Sequence, residues 1–122
     1  MINGMIYQKI FNEIHGFLDH DWQKVVIYLE YGEASYCIEF YVKSNGIYQK
    51  CYDLPEVNED ELLGSFSRID SMVSRERKGK DLWSNMTMIV NRDGSMHTDF
   101  DYTDLTECSY QYMQDWKKKY LV

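Results

Sequence analysis

The residues best equipped for chemistry lie near the C-terminus, where Asp99-Phe100-Asp101 is followed by Tyr102, Asp104 and Glu107. An Asp-x-Asp can hold a divalent cation through its carboxylate oxygens. On an extended strand the two carboxylates share one face about 7 Å apart. Their repulsion through water is only about 0.6 kcal/mol, so a solvated strand face holds them without a metal. The histidines do little to complete a metal site. His15 and His20 are five residues apart, which places them on different sides of a helix, and His97 stands alone on a strand. No Gly-rich phosphate loop, Gly-x-Ser-x-Gly elbow or His-Glu-x-x-His pair occurs. No catalytic residue, metal site or cofactor is therefore expected. The stretch reads instead as a recognition surface, in which Asp99, Asp101, Asp104 and Glu107 meet a basic patch of a partner protein and Tyr102 supplies an aromatic anchor.

Two other features compete for the same role. A second acidic run, Asp53, Glu56, Glu59, Asp60 and Glu61, suits the positive N-terminal end of a helix, and capping accounts for most of it. Tyr28, Tyr31, Tyr41, Tyr48 and Tyr52, five of eleven tyrosines, crowd one segment. Rings with polar tips serve sheet packing first and a protein-binding face second.

The elements that must position these residues follow from periodicity. Ile6, Tyr7, Ile10, Phe11, Ile14, Phe17 and Leu18 recur at steps of three and four, giving a helix over 4–19. Val25–Leu29 is β-branched and aromatic and too short for a helix, and 35–43 alternates as a half-buried strand does. Asn45-Gly46 marks a tight hairpin before a third strand that runs from Ile47 to Leu54. Asn58, with Glu61 three residues on, opens a second helix over 58–78, with Gly79 placed to end it. A hairpin turning at Asn91–Gly94 joins a strand over Trp83–Val90 to one carrying Met96, Thr98, Phe100 and Tyr102, and Leu105, Cys108, Tyr112, Trp116 and Tyr120 trace a third helix. The order α-β-β-β-α-β-β-α predicts an α+β domain, an antiparallel sheet of about five strands with the helices packed on one face.

Composition bounds the function. With 122 residues, 44% of them hydrophobic and a single Pro, the chain fits one domain over 1–122 that needs neither disulfide nor metal to fold. Twenty acidic against thirteen basic residues give a formal charge of −7, which repels a phosphate backbone and disfavours direct nucleic-acid binding. A basic protein is the natural partner of such a surface. Cys37, Cys51 and Cys108 form no Cys-x-x-Cys pair, and no basic region followed by an apolar run opens the chain, which indicates a cytoplasmic protein with reduced thiols. No apolar stretch approaches the roughly 20 residues of a membrane span.

Taken in order, these residues resemble the YezG-like immunity proteins, antitoxins that protect bacteria against secreted nuclease toxins. The likeness begins with Ile6, Tyr7, Ile10 and Ile14 of the first helix and continues through Trp22, Lys24 and Val25. It takes in Phe40, Tyr41 and Lys43 of the second strand and Leu54-Pro55 before the second helix. Its most specific part is Trp83, Asn85, Thr87, the turn at Gly94, and Asp99 to Tyr102, followed by Trp116, Lys119, Tyr120 and Leu121. The resemblance implies an immunity protein that binds and neutralises a cognate toxin, a nuclease, without catalysis of its own. Two other classes stand beside it: a metal-dependent enzyme using Asp99 and Asp101, and an acidic adaptor for another basic protein.

Overall fold

A computed structural model describes residues 5–32, 35–55, 57–77, 82–105 and 109–122. Glu56, Gly79, Glu107 and Cys108, named above, lie outside them, as does position 78, the expected end of the second helix. The described elements run α1 (Met5–His15), β1 (Trp22–Tyr31), β2 (Tyr36–Ser44), β3 (Ile47–Lys50), α2 (Glu59–Arg77), β4 (Asn85–Asn91), β5 (Met96–Asp101) and α3 (Ser109–Tyr120). The fold is α+β in the expected order, and the strands form one antiparallel sheet arranged β3-β2-β1-β4-β5.

Local sequence signals act as their chemistry requires. Asn45 and Gly46 both take positive φ, 53° and 78°, the pair of left-handed residues that lets a two-residue turn match the twist of β2 and β3. Gly94, at φ 91°, does the same for the β4–β5 hairpin. Asn58 caps α2, its Oδ1 accepting the Glu61 N–H at 3.0 Å.

Several boundaries depart from the sequence reading, among them the longer β1, the end of β5 at Asp101, and three that shape the core. α1 ends at His15 rather than 19, because the Phe17 and Leu18 N–H groups bond back to the Ile14 and His15 carbonyls in a tight turn that folds both side chains against the core. The third strand stops at Lys50 and gives way to a 3-10 turn, Cys51–Asp53, that buries Cys51. Trp83 precedes β4 instead of belonging to it. It is 1% exposed, its carbonyl accepts the Arg77 Nε–H at 2.7 Å, and the guanidinium lies 5.4 Å from its ring and 5.2 Å from that of Tyr31. Arg77 thereby ties the end of α2 to the sheet.

The helices do not share one face, and here the expectation is corrected. Alternation sends Val25, Ile27 and Leu29 of β1 to one side, where they pack with Ile10 and Ile14 of α1 and Leu62, Phe66 and Ile69 of α2. Val26 and Tyr28 face the other way, into a smaller cluster with Tyr41 and Trp116 to which Tyr112, Met113 and Tyr120 of α3 add their rings and chains. The sheet is therefore the middle of three layers, with α1 and α2 below and α3 above. Cys37 is half-buried and Cys51 buried, both as free thiols. Burial and the neighbouring Glu39 and Glu30 carboxylates push the Cys37 thiol up to about 12, so it is a poor nucleophile at neutral pH.

Candidate functional site

The carboxylates singled out in the sequence meet α3. On β5 the side chains of His97, Asp99 and Asp101 point to the α3 face, while Met96 and Phe100 pack on the larger core. Tyr120 donates its hydroxyl to Asp99 Oδ2 at 2.8 Å, and His97 Nε2 sits 2.8 Å from Asp99 Oδ1. Asp101 Oδ2 accepts from the Tyr112 hydroxyl at 2.9 Å. Its Oδ1 accepts the Thr103 hydroxyl at 2.6 Å and the Thr103 N–H at 2.9 Å. Asp99 and Asp101 are thus half-buried acceptors that anchor α3, not members of a freely solvated face.

Electrostatics follow this bonding. Burial pushes the Asp99 carboxyl up, but the bonds from Tyr120 and His97 and the nearby positive charge of Lys119 outweigh it and hold it below the ordinary value. Asp101 is held low chiefly by the Thr103 hydroxyl, with the Thr103 N–H and Tyr112 assisting against partial burial. The donors shift the opposite way. Burial and the Asp99 carboxylate push Tyr120 up to about 12, and burial with Asp101 raises Tyr112.

Trp116, on the same helical stripe, begins a buried polar chain. Its indole Nε1–H donates to Thr87 Oγ1 at 2.7 Å, the Thr87 hydroxyl donates to Asn85 Oδ1 at 3.0 Å, and Asn85 Nδ2 donates to the Leu29 carbonyl at 3.0 Å. No buried side-chain nitrogen or oxygen among the described residues lacks a partner. The Tyr28 ring meets Trp116 edge-on with centroids 4.9 Å apart.

Between β5 and α3 lies an open groove of about 480 Å³, lined by Asp99, Asp101 and Asp115 together with Phe100, Tyr112, Trp116, Lys119 and Tyr120. Tyr102, 58% exposed, and the exposed Asp104 follow directly after β5. The structure thus groups Asp99 and Asp101 in one groove and leaves Glu107 outside the described residues. Sequence reasoning missed Tyr112, Asp115 and Tyr120 as groove residues. Their spacing was visible as a helical stripe, but the face against which that stripe packs was not. Across the sheet a larger cleft of about 750 Å³ separates α1 from the start of α2 and contains Asp60 and Glu61 of the second acidic run. There Arg68 pairs with Glu13 at 2.9 Å and offsets part of the negative charge. Among the described residues no three or more His, Cys, Asp or Glu side chains converge as metal ligands, and no helix is long and apolar enough to cross a membrane.

A family model described as "Immunity protein YezG-like" matches residues 4–122, nearly the whole chain. The chain belongs to the YezG-like immunity protein family. Two curated proteins, both named Immunity protein YezG, are similar to it. One, from Bacillus spizizenii, is 29% identical over 114 residues, covering 84% of this chain and 70% of the relative. The other, from Bacillus subtilis, is 24% identical over 129 aligned residues, covering 95% and 85%. In this member of the family the matched region takes in both walls of the groove, since β5 and α3 fall within 4–122.

Proposed function

We propose that this protein, acting as one cytoplasmic domain over 1–122, binds a cognate bacterial toxin and neutralises it, and that the toxin is a nuclease. The observation that carries this reading is the acidic, aromatic-walled groove between β5 and α3 in a chain of the immunity family. A nuclease must present a basic surface to hold phosphate, and Asp99, Asp101 and Asp115 offer a complementary set of carboxylates. Tyr102 and Asp104 follow directly after β5 and add a further ring and carboxylate, and Glu107 comes three residues later in the chain. Tyr112, Trp116 and Tyr120 supply a rigid wall against which the stem of an inserted Arg or Lys loses water. The role is occlusion by binding, with no reaction, cofactor or nucleic-acid contact by this chain.

The test is to look for a toxin gene beside this one and to run a nuclease assay on the catalytic domain it encodes, titrated with this protein and with an Asp104→Lys, Asp115→Lys variant. Both residues are exposed, so melting should be unchanged within a degree or two while association slows about tenfold and loses part of its salt dependence. A variant that binds and inhibits like the parent places recognition elsewhere. An adjacent toxin domain without nuclease activity overturns the choice of target.

A further inference from the structure

The sheet has two edges, and they are finished differently. β3 is only four residues long, ends in Lys50 and turns at once into the 3-10 segment, all of which discourage a further strand. β5 runs six residues, Met96–Asp101, with no Lys, no Pro and an unbroken register against β4. The phase of its hydrogen bonds can be fixed. The Asn91 N–H donates to the Ser95 carbonyl, so 91 and 95 are a hydrogen-bonded pair, and alternation makes 89/97, 87/99 and 85/101 the others. The bond from the Tyr31 N–H to the Ser84 carbonyl sets the β1–β4 ladder in the matching phase. Consequently the N–H and C=O groups of Met96, Thr98 and Phe100 aim out of the sheet, and among the described residues β5 pairs with β4 alone.

We propose that this edge pairs antiparallel with β5 of a second copy of the chain, centred on Thr98, joining two five-stranded sheets into one of ten. Only residues 96, 98 and 100 can exchange hydrogen bonds, which restricts the register to a few choices. Centring on Asp99 sets Asp99 against the partner's Asp99, and centring on Phe100 sets Asp99 against the partner's Asp101. Centring on His97 opposes two histidines and leaves Phe100 facing a glycine. Centring on Thr98 alone matches every position: Met96 faces the partner's Phe100, Thr98 faces the partner's Thr98, and His97 faces the partner's Asp99.

Within one strand His97 already contacts Asp99 at 2.8 Å. In the dimer two histidines and two aspartates occupy alternate corners of a rectangle, so each imidazole has a carboxylate on both neighbouring corners. On the opposite face Met96 and Phe100, half-buried against the larger core, continue that core across the seam. The two-fold axis of an antiparallel pair stands perpendicular to the sheet, which sets both α3 helices on one face and opens the two grooves toward each other.

Sedimentation equilibrium of the full chain from micromolar to near-millimolar concentration tests this. The parent should be a dimer at the upper end. Thr98→Pro should be a monomer throughout with its thermal melt retained, because the Thr98 N–H makes no bond to β4 and proline is tolerated on such an edge. His97→Asp, which opposes like charges at two symmetric positions, should weaken association by about tenfold, whereas His97→Lys should keep it. If Thr98→Pro misfolds, the two His97 variants decide. A parent that is monomeric at every concentration overturns the proposal and leaves the edge to a strand of another protein. A dimer indifferent to both the proline and the aspartate overturns it as well, since it must form elsewhere.

Discussion

Asp99 and Asp101 show how one pair of residues serves both the fold and the surface. Each lines the groove while accepting a tyrosine hydroxyl from α3, so substitution at either position alters packing as well as charge. Replacing both with lysine would strip both acceptors, and a binding defect in that variant would carry a folding defect with it. The bonds also make stability depend on pH. Both carboxyls are held below their ordinary value of about 3.9, so their contribution is present above that value and is lost as pH falls through the lower folded values. Tyr120 is shifted the other way, so its contribution is complete below about pH 10 and disappears as pH climbs toward about 12. Tyr120→Phe should therefore cost about 1 kcal/mol at neutral pH, a small value because Asp99 keeps access to water. It should also shallow the loss of stability at both the acid and alkaline ends. Urea titrations of parent and variant from pH 3 to 11 give the comparison, and identical pH profiles would show that the bond contributes nothing.

At the scale of elements, α3 is held by one large side chain and one polar chain in addition to its tyrosine bonds to Asp99 and Asp101. Trp116→Ala should destabilise by about 3–5 kcal/mol, since a 3%-exposed indole leaves a void between Tyr28 and Tyr41 that the sheet cannot close. Thr87→Val keeps the volume but leaves the Trp116 N–H buried without an acceptor, and should cost about 1–3 kcal/mol. Denaturant unfolding of both checks the order, with Thr87→Val as the milder change. Helix starts, turns and strand alternation could be read from sequence because each depends on neighbours in the chain: Asn58 three residues from Glu61, Asn45 next to Gly46, the 3.6 period of α2. The side of the sheet that α3 covers depends on a tertiary choice, and the periodicity of Tyr112, Trp116 and Tyr120 is the same on either face. One signal for it was present. Val25–Leu29 is a continuous apolar run, and a strand with only one buried face alternates. The same dependence explains the site. Asp99 and Asp101 were found by their spacing, whereas Tyr112, Asp115 and Tyr120 join them only after α3 crosses the sheet.

The three layers are unequal, and this sets how the molecule opens. Below the sheet a large core is shared by α1, α2 and every strand except β3. Above it the smaller cluster rests on Val26, Tyr28, Tyr41 and Trp116. Removing α3 exposes only that smaller cluster, so its release should need less free energy than global unfolding, whereas β1 and α2 cannot part without dismantling the main core. Amide hydrogen exchange should therefore find α3 opening as a unit before β1, β4 and α2. The groove has α3 for one wall, so a ligand that fills it must stabilise the docked helix. With a saturating basic partner bound in the groove, α3 and β5 should gain protection while α1 changes little. Exchange of α3 only through global unfolding would show that the upper layer is as firmly built as the lower. Partner-induced protection centred on α1 and the start of α2 would instead move recognition to the larger cleft, where Asp60 and Glu61 lie across the sheet from Asp99 and Asp101.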